Sequence, residues 1–177
     1  MPILFLILAQ RFGLNVALVC APNHFFVRYT NAEGKSFDLE TTSGANPARL
    51  EWFRQEMPMS DRALATGLYM RSLPRREAVA MMAFTNAWEL AARRQWADAA
   101  ELCDLVLRIS PRTAWALVAG GSAHGQMFNE EFADRFANPL SIPQHLHTRR
   151  LMLMERNNSL FTAAEHLGWE PADLDME

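Results

Sequence analysis

Cysteine is scarce: Cys20 and Cys103 are the only two in 177 residues, and they stand far apart inside apolar runs. That excludes the disulfide framework that holds small secreted domains together and fits two buried thiols in a reducing, cytoplasmic setting. Basic excess is missing too. The 17 Lys and Arg against 20 Asp and Glu leave a net charge of -3, and the pairs Arg75-Arg76, Arg93-Arg94 and Arg149-Arg150 are scattered among acids, which speaks against a nucleic-acid partner. No Gly-rich phosphate loop is present, and no cofactor is expected. The opening stretch, Met1 to Gln10, is about half the length that spans a bilayer. It has no cationic start, and Gln10, Arg11 and Asn15 interrupt the run, so neither an export signal nor a membrane helix is expected.

What is present is the material of a folded core: half of the residues are hydrophobic and 21% charged, enough at this length for one compact unit of two parts. Residues Pro2 to Phe12 are apolar on every side apart from Gln10 and Arg11, which predicts a helix buried all round. Pro2 suits its first position, Gly13 a left-handed stop, and Leu14 can fold back on the last turn. Val16 to Ala21 and His24 to Tyr29 read as strands joined by a Pro22-Asn23 turn, with His24, Phe26 and Arg28 on one face. Asn31 to Gly34 supplies a second turn, after which Phe37 and Leu39 alternate with Ser36, Asp38 and Glu40. The segment Ser43 to Pro47 breaks the strand pattern, and a boundary near residue 45 separates residues 1–45 from a helical segment, 46–177.

Within that segment Pro47 to Glu56, Asp61 to Ser72, Arg75 to Arg94 and about Trp96 to Ile109 carry helical signals, with Ser60-Asp61 as a start and Pro58 and Pro74 as punctuation. Two more helices are expected between Gln144 and His166, and the acidic end from Glu170 should fray. Over 75–117, small Ala87 and Ala91, then Trp96, Ala99-Ala100, Leu107, Pro111 and Trp115 resemble the second half of a tetratricopeptide (TPR) repeat. Phe128 and Ala133 fall where a next repeat needs them, whereas Gly120-Gly121 and the break at Asn138 to Pro143 do not fit. One repeat with degenerate neighbours is the expectation, and a lone repeat must lean on flanking structure. The fold class is therefore α+β: a short buried helix and an antiparallel hairpin or sheet, followed by an all-α, TPR-like segment.

The residues Leu8 to Leu14, then Ala21-Pro22-Asn23-His24-Phe25-Phe26-Val27-Arg28-Tyr29, then Phe37-Asp38-Leu39 resemble the bacterial SirB1-like branch of the transglutaminase-like superfamily, whose members join such a domain to a helical, repeat-like C-terminal segment. The resemblance covers about residues 1 to 117, and its specific part is Pro-x-His-Phe at a strand start with a downstream Asp. It implies a partial papain-like core in which His24 is the general base and Asp38 the residue that orients it. It also implies a Cys nucleophile at the start of the helix matching Pro2 to Phe12, just ahead of where this chain begins. Such a site works because an imidazole and a helix N-terminus lower a thiol pKa, while a carboxylate fixes the ring tautomer.

Simple strand pairing leaves Asp38 opposite Val27 or Arg28, about 10 Å along the strand from His24. A bulge near Gly34 would close that gap; without one, Glu40 is the alternative orienter and Arg28 a structural ion-pair partner for Asp38. Cys20 is the substitute nucleophile to test, although no helix N-terminus activates it, and Cys103 reads as core. His124, His145, His147 and His166 lack zinc-site spacing and read as helix-surface residues, so no metal is expected. Met57, Met59, Met70, Met81, Met82, Met152 and Met154 read as core filler or, alternatively, a partner groove. The expected function is a non-catalytic protein-interaction or scaffold role, with exposed apolar surface favouring a protein partner or a homodimer. The alternatives are a shortened Cys-His-Asp acyl-transfer or amide-hydrolysing enzyme and a plain TPR-type module.

Overall fold

The computed structural model describes residues 2–42, 44 and 46–171. Ala45, where the sequence suggests a boundary, and residues 172–177 of the acidic end lie outside them. The class is α+β: among the described residues, seven α-helices accompany one antiparallel sheet of five strands. The chain forms two compact units, one running through Ala78 and resuming at Leu167, the other spanning Val79–His166.

The first unit opens with α1 (Pro2–Arg11), β1 (Val16–Ala21), β2 (His24–Thr30) and β3 (Ser36–Glu40). Gly13 takes φ 67°, and the Leu14 amide donates to Ala9 across 2.9 Å, the fold-back expected after a left-handed stop. Helix α1 packs against β1 and β2, but it is not buried all round. Ala9 is its buried residue, while Leu4 and Ile7 remain 48% and 50% exposed. A helix lying on a sheet covers one stripe of its surface, so an all-apolar sequence leaves the rest uncovered.

The strands run in the order β4-β3-β2-β1-β5. After the Pro22-Asn23 turn, with Asn23 at φ 52°, Ala21 stands opposite His24, Cys20 opposite Phe25 and Val19 opposite Phe26. The second hairpin is equally regular, with Val27 opposite Leu39 and Arg28 opposite Asp38, and no bulge shifts it. The first unit does not stop near residue 45. Asn46–Ala48, where the sequence predicts that the strand-breaking segment gives way to a helix from Pro47, forms β4 against β3, with Pro47 tolerated because β4 is an edge strand. Next come α2 (Leu50–Glu56), α3 (Asp61–Thr66) and β5 (Ser72–Leu73), which pairs with β1 on the far edge. Phe53 of α2 is fully buried and stacks on Phe26 at 4.2 Å, so α2 covers the sheet face that carries Phe26. Ser60 caps α3 by accepting from the Ala63 amide, and Gly67 ends it at φ 69°.

The second unit holds most of α4 (Arg75–Ala92), then α5 (Trp96–Ile109), α6 (Ala114–Phe128), a π-helical turn (Asn129–Ala133) and α7 (His147–His166). The residues from Gln144 give one short 3-10 turn running into a single 20-residue helix rather than two helices. Gly120-Gly121 is not a break: it lies inside α6, where a Cβ on Gly121 would fall 2.9 Å from the Phe161 ring of α7. Small residues there let α6 pack closely against both α5 and α7. The π-helical turn aims Glu130 at Arg94 and the Trp96 indole, and Glu131 at Arg149.

The return segment at Leu167 docks within the first unit. Ser60 donates to the Gly168 carbonyl at 2.7 Å and Thr66 to that of Leu167 at 2.6 Å. Gly168 has φ 96°, and a Cβ there would sit 2.4 Å from the Ala63 amide nitrogen. Gly168→Ala should therefore destabilise the first unit by about 2–4 kcal/mol, combining backbone strain with a main-chain clash. A urea titration checks this; an unchanged midpoint would mean that the segment does not dock.

Candidate functional site

Because strand side chains alternate, the register sorts every candidate onto one of two sheet faces. Ala17, Val19 and Ala21 of β1 share a face with His24, Phe26 and Arg28 of β2, and with Asp38 and Glu40 of β3. Val16, Leu18 and Cys20 share the other with Phe25, Val27 and Tyr29. Cys20 and His24, close in sequence, are thus on opposite faces.

Glu40 lies on the strand next to His24, two residues short of direct opposition, a diagonal that long side chains can bridge. Nε2 of His24 donates to Oε2 of Glu40. The Thr42 amide and hydroxyl donate to Oε1 at 2.8 Å and 2.7 Å. Thr42 is the member of this cluster that sequence reasoning missed, and the Glu-x-Thr spacing at a strand end was its signal. Glu40 is 6% exposed. Burial is the largest influence on its carboxyl and pushes the pKa up, but the Thr42 hydroxyl and amide and then His24 outweigh it. The result lies below the ordinary value of 4.5. An ionised carboxylate only accepts, so Nε2 must carry a proton. Nδ1 makes no hydrogen bond among the described residues.

Asp38 does not reach His24. It receives Nε of Arg28 at 2.6 Å and Nη2 at 2.8 Å, a bidentate pair. Nη1 of Arg28 donates to the Met70 carbonyl at 3.1 Å. Met70 has φ 61°, unusual for its type, and its amide is held by the Cys20 carbonyl at 2.8 Å. Asp38 thus works through Arg28 to hold a strained turn, and Glu40 is the acid that orients His24.

Neither thiol is activated. Burial raises the Cys20 thiol to about 12, with Arg71 pulling down and Glu77 adding to the rise. Burial, with Asp104 adding, raises Cys103 to about 12 as well, and Cys103 belongs to the second unit. Two of the histidines considered for metal binding are otherwise occupied: Nδ1 of the buried His124 donates to the Gly120 carbonyl at 2.7 Å, and Nε2 of His147 to that of Ile142 at 3.0 Å. Among the described residues no group of His, Cys, Asp and Glu is close enough to hold a metal ion. Glu40, with Pro47, Arg49, Trp52 and Gln55 among others, lines an open groove of about 790 Å³; His24 does not line it. No helix is long and apolar enough to cross a membrane among the described residues.

Because the Glu40 carboxyl titrates lower in the folded chain than in the unfolded one, its contribution is complete well above pH 4.5 and is lost as pH falls through the depressed folded value. Glu40→Gln should cost about 1–3 kcal/mol near neutral pH by leaving donors poorly matched, and the deficit should shrink in acid. Urea midpoints of both proteins across that range measure it; parallel acid limbs would remove Glu40 as the linked group.

No family model, no curated protein and no solved structure matches this chain, so the chemistry of this site rests on the geometry of His24, Glu40 and the two thiols.

Proposed function

We propose that this chain is a non-catalytic protein-interaction or scaffold protein of transglutaminase-like kind, in which a partial papain-like core is followed by a TPR-like helical segment. The observation that carries the reading is the sheet register. It sets His24 with Glu40 on one face and Cys20 on the other, so the imidazole has no sulfur of its own sheet to activate, and both thiols are held as unreactive acids of pKa about 12. The TPR-like part of the reading draws on buried small residues at Ala87, Ala99 and Ala100 and on the Trp96 indole anchored to Glu130 at 2.9 Å. Trp88, 48% exposed, suits an interaction surface, including that of a plain TPR-type module.

A second reading has one specific observation behind it. Nε2 of His24 is fixed by a carboxylate while Nδ1 is left with a lone pair whenever the ring is neutral. That is the arrangement of a general base, and a thiol brought by another segment would complete a Cys-His-carboxylate acyl-transfer or amide-hydrolysing enzyme.

Alkylation of the purified chain with iodoacetamide tests the first reading. On the first reading, labelling near neutral pH is slow, rises with pH without a plateau up to mildly alkaline conditions, and is the same in His24→Ala. Rapid labelling at neutral pH that His24→Ala reduces by about tenfold or more would overturn it, since such a loss requires a thiol in contact with the imidazole.

A further inference from the structure

Six large apolar side chains face solvent on α1 and the turn that ends it: Ile3 42%, Leu4 48%, Ile7 50%, Leu8 43%, Phe12 76% and Leu14 50% exposed. Along the helix they form two adjacent rows of i, i+4 neighbours, Ile3-Ile7 and Leu4-Leu8-Phe12, which make ridges of the type that interdigitate with a second helix. Between Pro2 and Arg11 the only formal charge is Arg11 itself. With ordinary side-chain areas these exposures come to roughly 600 Å² on one chain, at the upper end of what a solitary surface shows.

We infer that this stripe is a homodimer seam, with α1 of one chain packed across α1 of a second copy about a two-fold axis near Ile7 and Leu8. The inference supplies the interaction reading above with a partner and rests on it for nothing else. Three properties select a second copy. The face is self-complementary: an axis at that point lays Ile3 of one copy toward Phe12 of the other, so each ridge finds the matching groove. Charge permits it, because antiparallel crossing sends the two Arg11 side chains to opposite ends and opposes the two helix dipoles. The area suffices, since two such stripes together expose up to about 1,200 Å², the size at which stable interfaces begin. A partner chosen by charge pattern has nothing on this stripe to recognise.

Sedimentation equilibrium on the full chain over a wide concentration range should give a reversible dimer. Ile7→Glu, an exposed position whose change spares the core, should weaken association by about 100-fold while far-UV circular dichroism stays as in the parent. Under oxidation, Ile7→Cys should cross-link to its own copy and Phe12→Cys should not, because only the first lies near the axis. A strictly monomeric parent would overturn the inference, as would a dimer that Ile7→Glu leaves intact. So would a monomer that partitions onto neutral phosphatidylcholine vesicles through the same residues, which would assign the stripe to a lipid surface. None of these outcomes bears on the alkylation result, so the interaction reading is judged separately.

Discussion

A β-strand turns successive side chains to opposite sides of its sheet, and the tight reversal at Pro22 and Asn23 fixes which side each residue of β1 and β2 takes. A slip of one residue would bring Cys20 onto the face of His24 and move Val19, wholly buried, to the face of Leu18 and Val27. That slip is resisted from two directions. Asn23 accepts a positive φ at the second turn position, after a proline that suits the first, and the stack of Phe26 on Phe53 requires Phe26 to face α2. Burying an aromatic ring of this size is worth about 2–3 kcal/mol, so the hydrophobic pattern reinforces the turn in holding the thiol away from the imidazole.

The two acids of β3 share that face, yet they do different work, and side-chain length decides it. Asp38 stands directly opposite Arg28, and the guanidinium fork closes on its short carboxylate. Glu40 is one methylene longer and spans the diagonal to His24. Each arrangement removes charge from water, which is tolerable only when the lone pairs are met; a buried carboxylate that loses a donor costs about 1–3 kcal/mol or more. Glu40 receives three donors from Thr42 and His24. Asp38 receives two from Arg28, and the same guanidinium holds Met70 in a conformation that costs about 1–3 kcal/mol.

Much of this is written in local sequence signals. The stop at Gly13, the hairpin turns, the start of α3 at Ser60 and the end of α5 ahead of Pro111 follow from residue types whose backbone preferences are strong. The diagonal from His24 to Glu40 is legible too, because period-two alternation and the turn length determine it. What the sequence does not reveal depends on distant partners. Asn46–Ala48 carries loop chemistry and becomes a strand because β3 has a free edge beside it. Ser72–Leu73 is too short to declare itself and pairs only because β1 is there. Gly120-Gly121 looks like a helix breaker until Phe161 is seen to fill the space a side chain would take. The burial of α1 is misjudged for the same reason, since apolar residues on all sides announce a need for cover without naming what supplies it.

The His24–Glu40 pair does not need a nucleophile to persist. Of the groups that keep the Glu40 carboxyl ionised against its burial, the Thr42 hydroxyl and amide act more strongly than His24. Both belong to the residue two positions along the same chain, so they are in place whenever β3 ends as it does. The acid is therefore held mainly by its own strand end, and its charge dictates which ring nitrogen carries the proton. The dependence runs one way: Glu40 orients His24, while His24 adds only the last of the donors to Glu40. A pair held in that way is a structural clamp between β2 and β3 whether or not a thiol ever stands beside it.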